Sequence, residues 1–334
     1  MRKFLGFILR SRPENVMAVG VSISLLVLFL TTRLFHYFEI GPLDLMFILL
    51  PMGVLGAKIF LGLLASGGDE NGEDSGTMKY LSSFFGPLVK IVRDWFPFFL
   101  LGACYYSLYS NLVLQVNPHP ADAFLSKIDA SLFGNQPSFL LEPLIRPRLT
   151  DFLNVIYFSH VLFFPGVALY FYLKKEEKAF RRLMMGYLTI MLMGIISYIL
   201  LPAVGPEKYF AGHYTRDLHG ELISRSVDYI IGIGRVSHDC FPSLHVGIPL
   251  LLSFYLRDYR RKAFVPMLIY VLLMCFATIY LRYHYFIDVV AAFAYAPAAY
   301  WLNDFLLRHW PGERILKPST AGEAPGQVGL ETKA

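Results

Sequence analysis

Leu183-Met-Met-Gly-Tyr-Leu-Thr-Ile-Met-Leu-Met-Gly-Ile-Ile-Ser-Tyr-Ile-Leu-Leu-Pro-Ala203 runs for 21 residues without a charged side chain. A helix over it rises about 1.5 Å per residue and is about 30 Å long, the thickness of a bilayer's hydrocarbon core. Lys174, Lys175, Lys178, Arg181 and Arg182 stand just before it, a basic flank of the kind that stays on the cytoplasmic side. Reading outward, stretches of similar character lie at 16–35, 43–65, 95–114, 152–173, 242–256, 263–282 and 285–307. The expected fold is therefore all-α, a polytopic integral membrane helix bundle with about eight transmembrane helices. Composition agrees: of 334 residues, 55% are apolar and 16% charged, against about 25% charged in soluble domains. Mean hydropathy is +0.49. A disordered chain is excluded, because such chains are rich in charge and poor in apolar residues. Three cysteines, none in CxxC spacing, exclude a disulfide scaffold and a thiolate zinc site.

The net charge of +5 would suit nucleic acid, but the cations sit beside the spans. With the N-terminus inside, inner segments carry 20 of the 30 Lys and Arg residues. Both termini are then cytoplasmic, and no nucleic-acid partner is expected. Arg257, Arg260, Arg261 and Lys262 become an inner anchor. The first span has no small-x-small cleavage site after it and is expected to be retained. Four regions follow. Residues 1–115 hold the first spans and a polar cytoplasmic linker, and 116–150 form an outer-face segment. Residues 151–308 form the membrane core, and 309–334 a flexible cytoplasmic tail. In 116–150, Ala123–Ile128 and Ser138–Ile145 have helical apolar spacing but are too short to span. They suit either interfacial helices or a lid packed on the bundle.

Charged and imidazole groups at span ends are costly and tend to mark function. One group is Phe241-Pro242-Ser243-Leu244-His245 and the other is Tyr280-Leu281-Arg282-Tyr283-His284-Tyr285-Phe286-Ile287-Asp288. In the eight-span topology both lie at the outer face, so residues some 40 apart can meet. His284 and Asp288, four apart, share a face if the segment is helical. An aspartate bonded to one ring nitrogen makes the other a better nucleophile. Pro242 suits the first turn of a helix. That turn's N–H groups, with the Ser243 hydroxyl, make an anion site. His245 is then placed as an acid for a leaving oxygen, and Arg282 as a phosphate clamp. Together they suggest phosphoryl transfer. The competing reading is a structural polar pair within an aromatic belt.

These segments resemble the type 2 phosphatidic acid phosphatase (PAP2) superfamily, whose last two motifs are P-S-G-H and S-R-x5-H-x3-D. Here they stand as Pro242-Ser243-Leu244-His245 and His284-x3-Asp288. The F-P-S-L-H and H-Y-x-x-D forms are most similar to the aureobasidin-resistance, inositol-phosphorylceramide-synthase branch. Ile128–Gly134 and Val155–His160 resemble the same branch. The resemblance implies a PAP2-like core in which His284 is a nucleophile forming a phosphohistidine. Asp288 orients it, His245 protonates the departing group and Ser243 binds phosphate. It also implies a membrane lipid substrate, phospholipid or lipid phosphate, and leans towards head-group transfer to a hydroxyl of a lipid or polyol. Simple hydrolysis is the alternative. No cofactor and no metal are expected. The chain departs from the pattern at two places. Ala277-Thr278 replaces the Ser-Arg pair, and K-x6-R-P is missing, since Phe139 stands seven before Arg146. Arg282 and Lys208 are the candidate replacements. His213, His219 and His238 lie in a polar loop, His160 reads as a satisfied polar contact, and Cys240 has no role in this chemistry. A flippase would show paired broken helices in similar halves, and none are visible in the sequence. A non-catalytic partner would not need the full Ser243, His245, His284 and Asp288 set.

Overall fold

The computed structural model describes residues 11–31, 75–105, 110–221 and 237–310. Helices account for the regular structure there. The longer ones are α1 (Pro13–Thr31), α2 (Ser75–Cys104), α6 (Pro147–Leu173), α7 (Glu177–Leu200), α9 (Leu244–Tyr259), α10 (Arg261–Tyr280) and α11 (Phe286–His309). Short helices α3 (Ser110–Val116), α4 (Asp122–Phe133), α5 (Pro137–Leu140) and α8 (Pro206–Tyr209) connect them, with a 3₁₀ turn at Glu142–Leu144. Among the described residues no strand forms, only an isolated bridge between Ala203 and Asp239.

Among the described residues three helices, α6, α7 and α10, are long and apolar enough to cross a membrane. The outward faces of α6, α10 and α11 present Leu162, Leu173, Leu272, Phe293 and Trp301 to the surroundings. A belt of that kind is what a lipid environment accepts and water does not. The expected span 43–65 lies outside the described residues. The expected span 95–114 differs: α2 starts twenty residues earlier, at Ser75, and ends at Cys104. Lys79, Lys90 and Arg93, all before residue 95, break an apolar window without breaking the helix.

α7 is the axis. It packs against α1, α6, α9 and α11, burying Leu183, Met184, Leu188, Ile190 and Ile195. Helices in lipid gain little from the hydrophobic effect against one another, so close packing decides the contact. Two glycines permit it. A Cβ on Gly186 would stand 2.0 Å from the Tyr255 hydroxyl, and one on Gly194 would stand 2.5 Å from Leu244. The start of α9 is thereby drawn against α7.

Residues 122–144 fold as α4, α5 and the 3₁₀ turn. α4 buries Asp122, Leu125, Ser126 and Asp129 and leaves Phe124 and Leu132 outward. It ends at Gly134, whose left-handed conformation closes the last turn.

Candidate active site

Two chain segments build the site. The first leads into α9. Ser243 is its N-cap residue, with α9 starting at Leu244, so Pro242 lies before the helix and not in its first turn as expected. The second leads into α11, which starts at Phe286. His284 therefore lies outside the helix, and it does not share a helical face with Asp288. Their meeting has another cause. Tyr285 is the N-cap, and Asp288, three residues on, accepts the Tyr285 N–H at 2.8 Å, half of a capping box. This bond turns the Asp288 carboxylate back towards the preceding residue, where His284 Nδ1 lies 3.3 Å from Oδ2. The Ser243 N–H donates to the Asp288 carbonyl at 3.1 Å, which ties the starts of α9 and α11 together.

The imidazoles meet as well. His245 Nδ1 is 3.0 Å from His284 Nε2. On its far side, His245 Nε2 is 2.9 Å from the Tyr157 hydroxyl of α6. Cys240 Sγ donates to Asp288 Oδ2 at 2.9 Å. Ser243 Oγ and Asp288 Oδ1 are buried without a hydrogen-bond partner, a costly state unless another group completes them. The first N–H groups of α9 have no acceptor within their own helix.

Expected site residues fall into two sets. Ser243, His245, His284 and Asp288 come together. Arg282 and Lys208 stand apart from that cluster. Arg282, with a φ of +66°, has Nη2 on Glu142 at 3.3 Å and on the Arg216 carbonyl at 2.6 Å. Its guanidinium lies 3.6 Å from the centre of the Tyr214 ring. Burial pulls its pKa down, while Tyr214 and Glu142 oppose the shift. Its Nε has no partner. Lys208 is exposed on α8, whose Glu207 N–H binds the Arg282 carbonyl at 2.7 Å. That approach needs Gly205, at φ +87°, where a Cβ would meet the Tyr283 carbonyl at 2.6 Å. His160 bonds the Tyr157 carbonyl at 2.7 Å and also packs on His245, ring centres 4.2 Å apart.

Sequence reasoning missed several contributors. Asp129 accepts the N–H groups of Phe286 at 2.6 Å and Ile287 at 3.0 Å. Asp122 accepts those of Val204 and Gly205, and the Tyr285 hydroxyl. These acids, seven apart on one face of α4, hold both backbones that flank His284. Their spacing was the available signal. Burial pushes the Asp129 carboxyl up to about 6, against the pull of those two N–H groups. Cys240, read as idle, is fully engaged, and burial beside Asp288 raises its thiol pKa well above the ordinary value. One ligand atom each from Cys240, His284 and Asp288 lies within 4.8 Å of the others, a donor set that could hold a metal ion. Each of those contacts is also a hydrogen bond.

The PAP2 superfamily model matches residues 123–302, from α4 into α11. The chain belongs to the PAP2 superfamily. Membership supports phosphatase or phosphotransferase activity in general. No curated protein and no solved structure matches the chain. The match takes in the motifs of this PAP2 protein together with Tyr157 and Asp129, and begins one residue after Asp122.

Proposed function

We propose that the protein moves the phosphate of a membrane lipid through a covalent intermediate on His284. The supporting observation is the row His245–His284–Asp288, with separations of 3.0 and 3.3 Å. Asp288 holds the Nδ1 proton of His284, leaving the Nε2 lone pair to attack phosphorus. The substrate phosphate replaces the His245–His284 hydrogen bond. As the N–P bond forms, the P–O bond breaks and its electron pair leaves with the oxygen. That oxygen takes the Nδ1 proton of His245, which enters the step as the imidazolium, having taken a proton from water, and is left neutral. Ser243 Oγ, unpartnered in the free protein, donates to a phosphate oxygen beside the α9 N-terminus. Arg282, through Nε, and Lys208 supply further positive charge at the rim.

The second half-reaction decides the product. Water gives a lipid phosphatase and a hydroxyl acceptor gives a head-group transferase. The Phe241–His245 and His284–Asp288 forms lean to transfer, as in the inositol-phosphorylceramide-synthase branch. The same reading takes eight spans, both termini in the cytoplasm and the site on the outer face.

The test is product analysis with purified protein, head-group-labelled phospholipids, and lipid and polyol hydroxyl acceptors. Label should leave the lipid for water or an acceptor, and His284→Ala should yield none. Full turnover by His284→Ala would falsify the assignment. A neighbouring control separates the two histidines. His245→Ala should fail on a lipid alkoxide leaving group but keep most of its rate on p-nitrophenyl phosphate, whose phenolate leaves without a proton.

A further inference from the structure

Tyr157 lies in α6, 88 positions before His245 in the chain, and is 6% exposed. Its ring stacks on His245, centres 4.6 Å apart, and lies 4.4 Å from the Tyr283 ring. Its hydroxyl reaches His245 Nε2 at 2.9 Å. The direction of every proton in the row follows from one end. Asp288 Oδ2 faces the Tyr285 N–H and the Cys240 thiol, so it accepts. His284 Nδ1 must then donate to it, which leaves Nε2 with a lone pair. His245 Nδ1 faces that lone pair and must donate. His245 Nε2 is then an acceptor, and the Tyr157 hydroxyl is the donor that faces it.

We infer that Tyr157 is a positioning residue for the acid: its hydroxyl holds Nε2 of His245 and so keeps the Nδ1 proton turned towards the reacting phosphate. The inference rests on the proposed phosphoryl transfer. In the resting site His284 also orients His245, but that bond is given up when phosphate enters. The Tyr157 bond survives the substitution. When His245 takes a second proton, the same hydroxyl oxygen accepts from Nε2–H, since a phenol both donates and accepts. The ring can then lose its Nδ1 proton to the leaving oxygen and stay neutral, with Nε2–H still held. The proton given at Nδ1 balances the electron pair that the P–O bond leaves on that oxygen.

Tyr157→Phe tests this, because it keeps the stacked ring and removes the hydroxyl alone. Four proteins are compared: wild type, Tyr157→Phe, His245→Ala and the double variant. Each is assayed on the lipid that wild type turns over, a lipid phosphate or a phospholipid with a hydroxyl acceptor, and on p-nitrophenyl phosphate, with thermal melting as the check on folding. Tyr157→Phe should lower kcat on the lipid about 10- to 100-fold, part of what a general acid contributes, with KM unchanged. On the aryl phosphate the loss should stay below about threefold. In the His245→Ala background the second substitution should cost nothing, because Tyr157 acts through His245. Equal losses on both substrates, or a further loss in the double variant, would overturn the inference while leaving the histidine row in place. If wild type turned over no lipid phosphate, no phospholipid with a hydroxyl acceptor and no aryl phosphate, the phosphoryl-transfer reading itself would fall, and this inference with it.

Discussion

At the end of the bundle away from the site, Arg182 donates to both carboxylate oxygens of Asp304, at 2.8 and 2.7 Å, and to Asp258 at 2.7 Å. Tyr300 and Asn303 close the group, with Asn303 Nδ2 on the Tyr255 hydroxyl at 2.6 Å. At the site end, Ser243 Oγ and Asp288 Oδ1 are buried with no partner. The same helices, α9 and α11, serve both ends, about 20 Å apart by their rise. What differs is charge pairing: Arg182 meets two carboxylates, although Asn303 Oδ1 beside it has no partner. A buried charge stays only if it is paired, and the Arg182 group is paired on three helices, α7, α9 and α11, which it joins. The site end leaves two buried polar atoms without partners, and one of them, the Ser243 hydroxyl, is a donor that an anion would complete. One end holds the helices together, and the other keeps donors and a lone pair ready for a guest.

Exchanging the roles of the two ends should fail in opposite ways. Arg182→Met removes the buried cation from Asp258 and Asp304, leaving them only the more exposed Arg257 and Arg308, and should cost about 3 kcal/mol of stability, the low end for a broken buried pair. Turnover per folded molecule should be unchanged. Denaturation in detergent alongside kcat checks this; a normal melt with lost activity would break the comparison. Ser243→Ala should do the reverse. Its hydroxyl has no partner to lose, so the melting temperature should hold. Activity should fall about 10- to 100-fold as one phosphate donor disappears. A fall in stability with activity intact would make Ser243 a structural residue.

The smallest expected effect is on pH dependence at α4. A carboxyl whose folded pKa lies above its ordinary value, about 3.9, favours the fold in its protonated form. For Asp129, at about 6, that contribution is complete below about pH 4 and is lost as pH rises through about 6. Asp129→Asn cannot ionise. Its melting temperature, measured against wild type, should therefore rise between about pH 4.5 and about pH 7. A constant difference over that range would show that the carboxyl carries no such burden.

What the sequence made legible was local. Pro242–His245 and His284–Asp288 carry their chemistry in residue type and short spacing, so four site residues could be named before any contact was known. The helical membrane character followed from charge-free runs such as Leu183–Ala203. The geometry of His284 with Asp288 was misread as helical because the N-cap at Tyr285 sits between them, and spacing alone cannot tell a cap from a turn. Tyr157 and Asp129 were invisible as partners, since they meet His245 and Phe286 across 88 and 157 positions. The seven-residue spacing of Asp122 and Asp129 marks a shared helical face, but nothing in local periodicity encodes which residues they meet. Arg282 was read as a clamp from its charge, and only packing reveals the Tyr214 ring and the Glu142 carboxylate it lies against.

The central claim is that His284 becomes covalently phosphorylated. It is tested most directly by acid-free rapid quenching of wild type during turnover of a ³²P-labelled lipid phosphate, followed by digestion and mass spectrometry. The account predicts one phosphate on His284, at Nε2, stable in alkali and released by acid. Phosphate trapped on another residue, or its accumulation in His284→Ala during continued turnover, would contradict it.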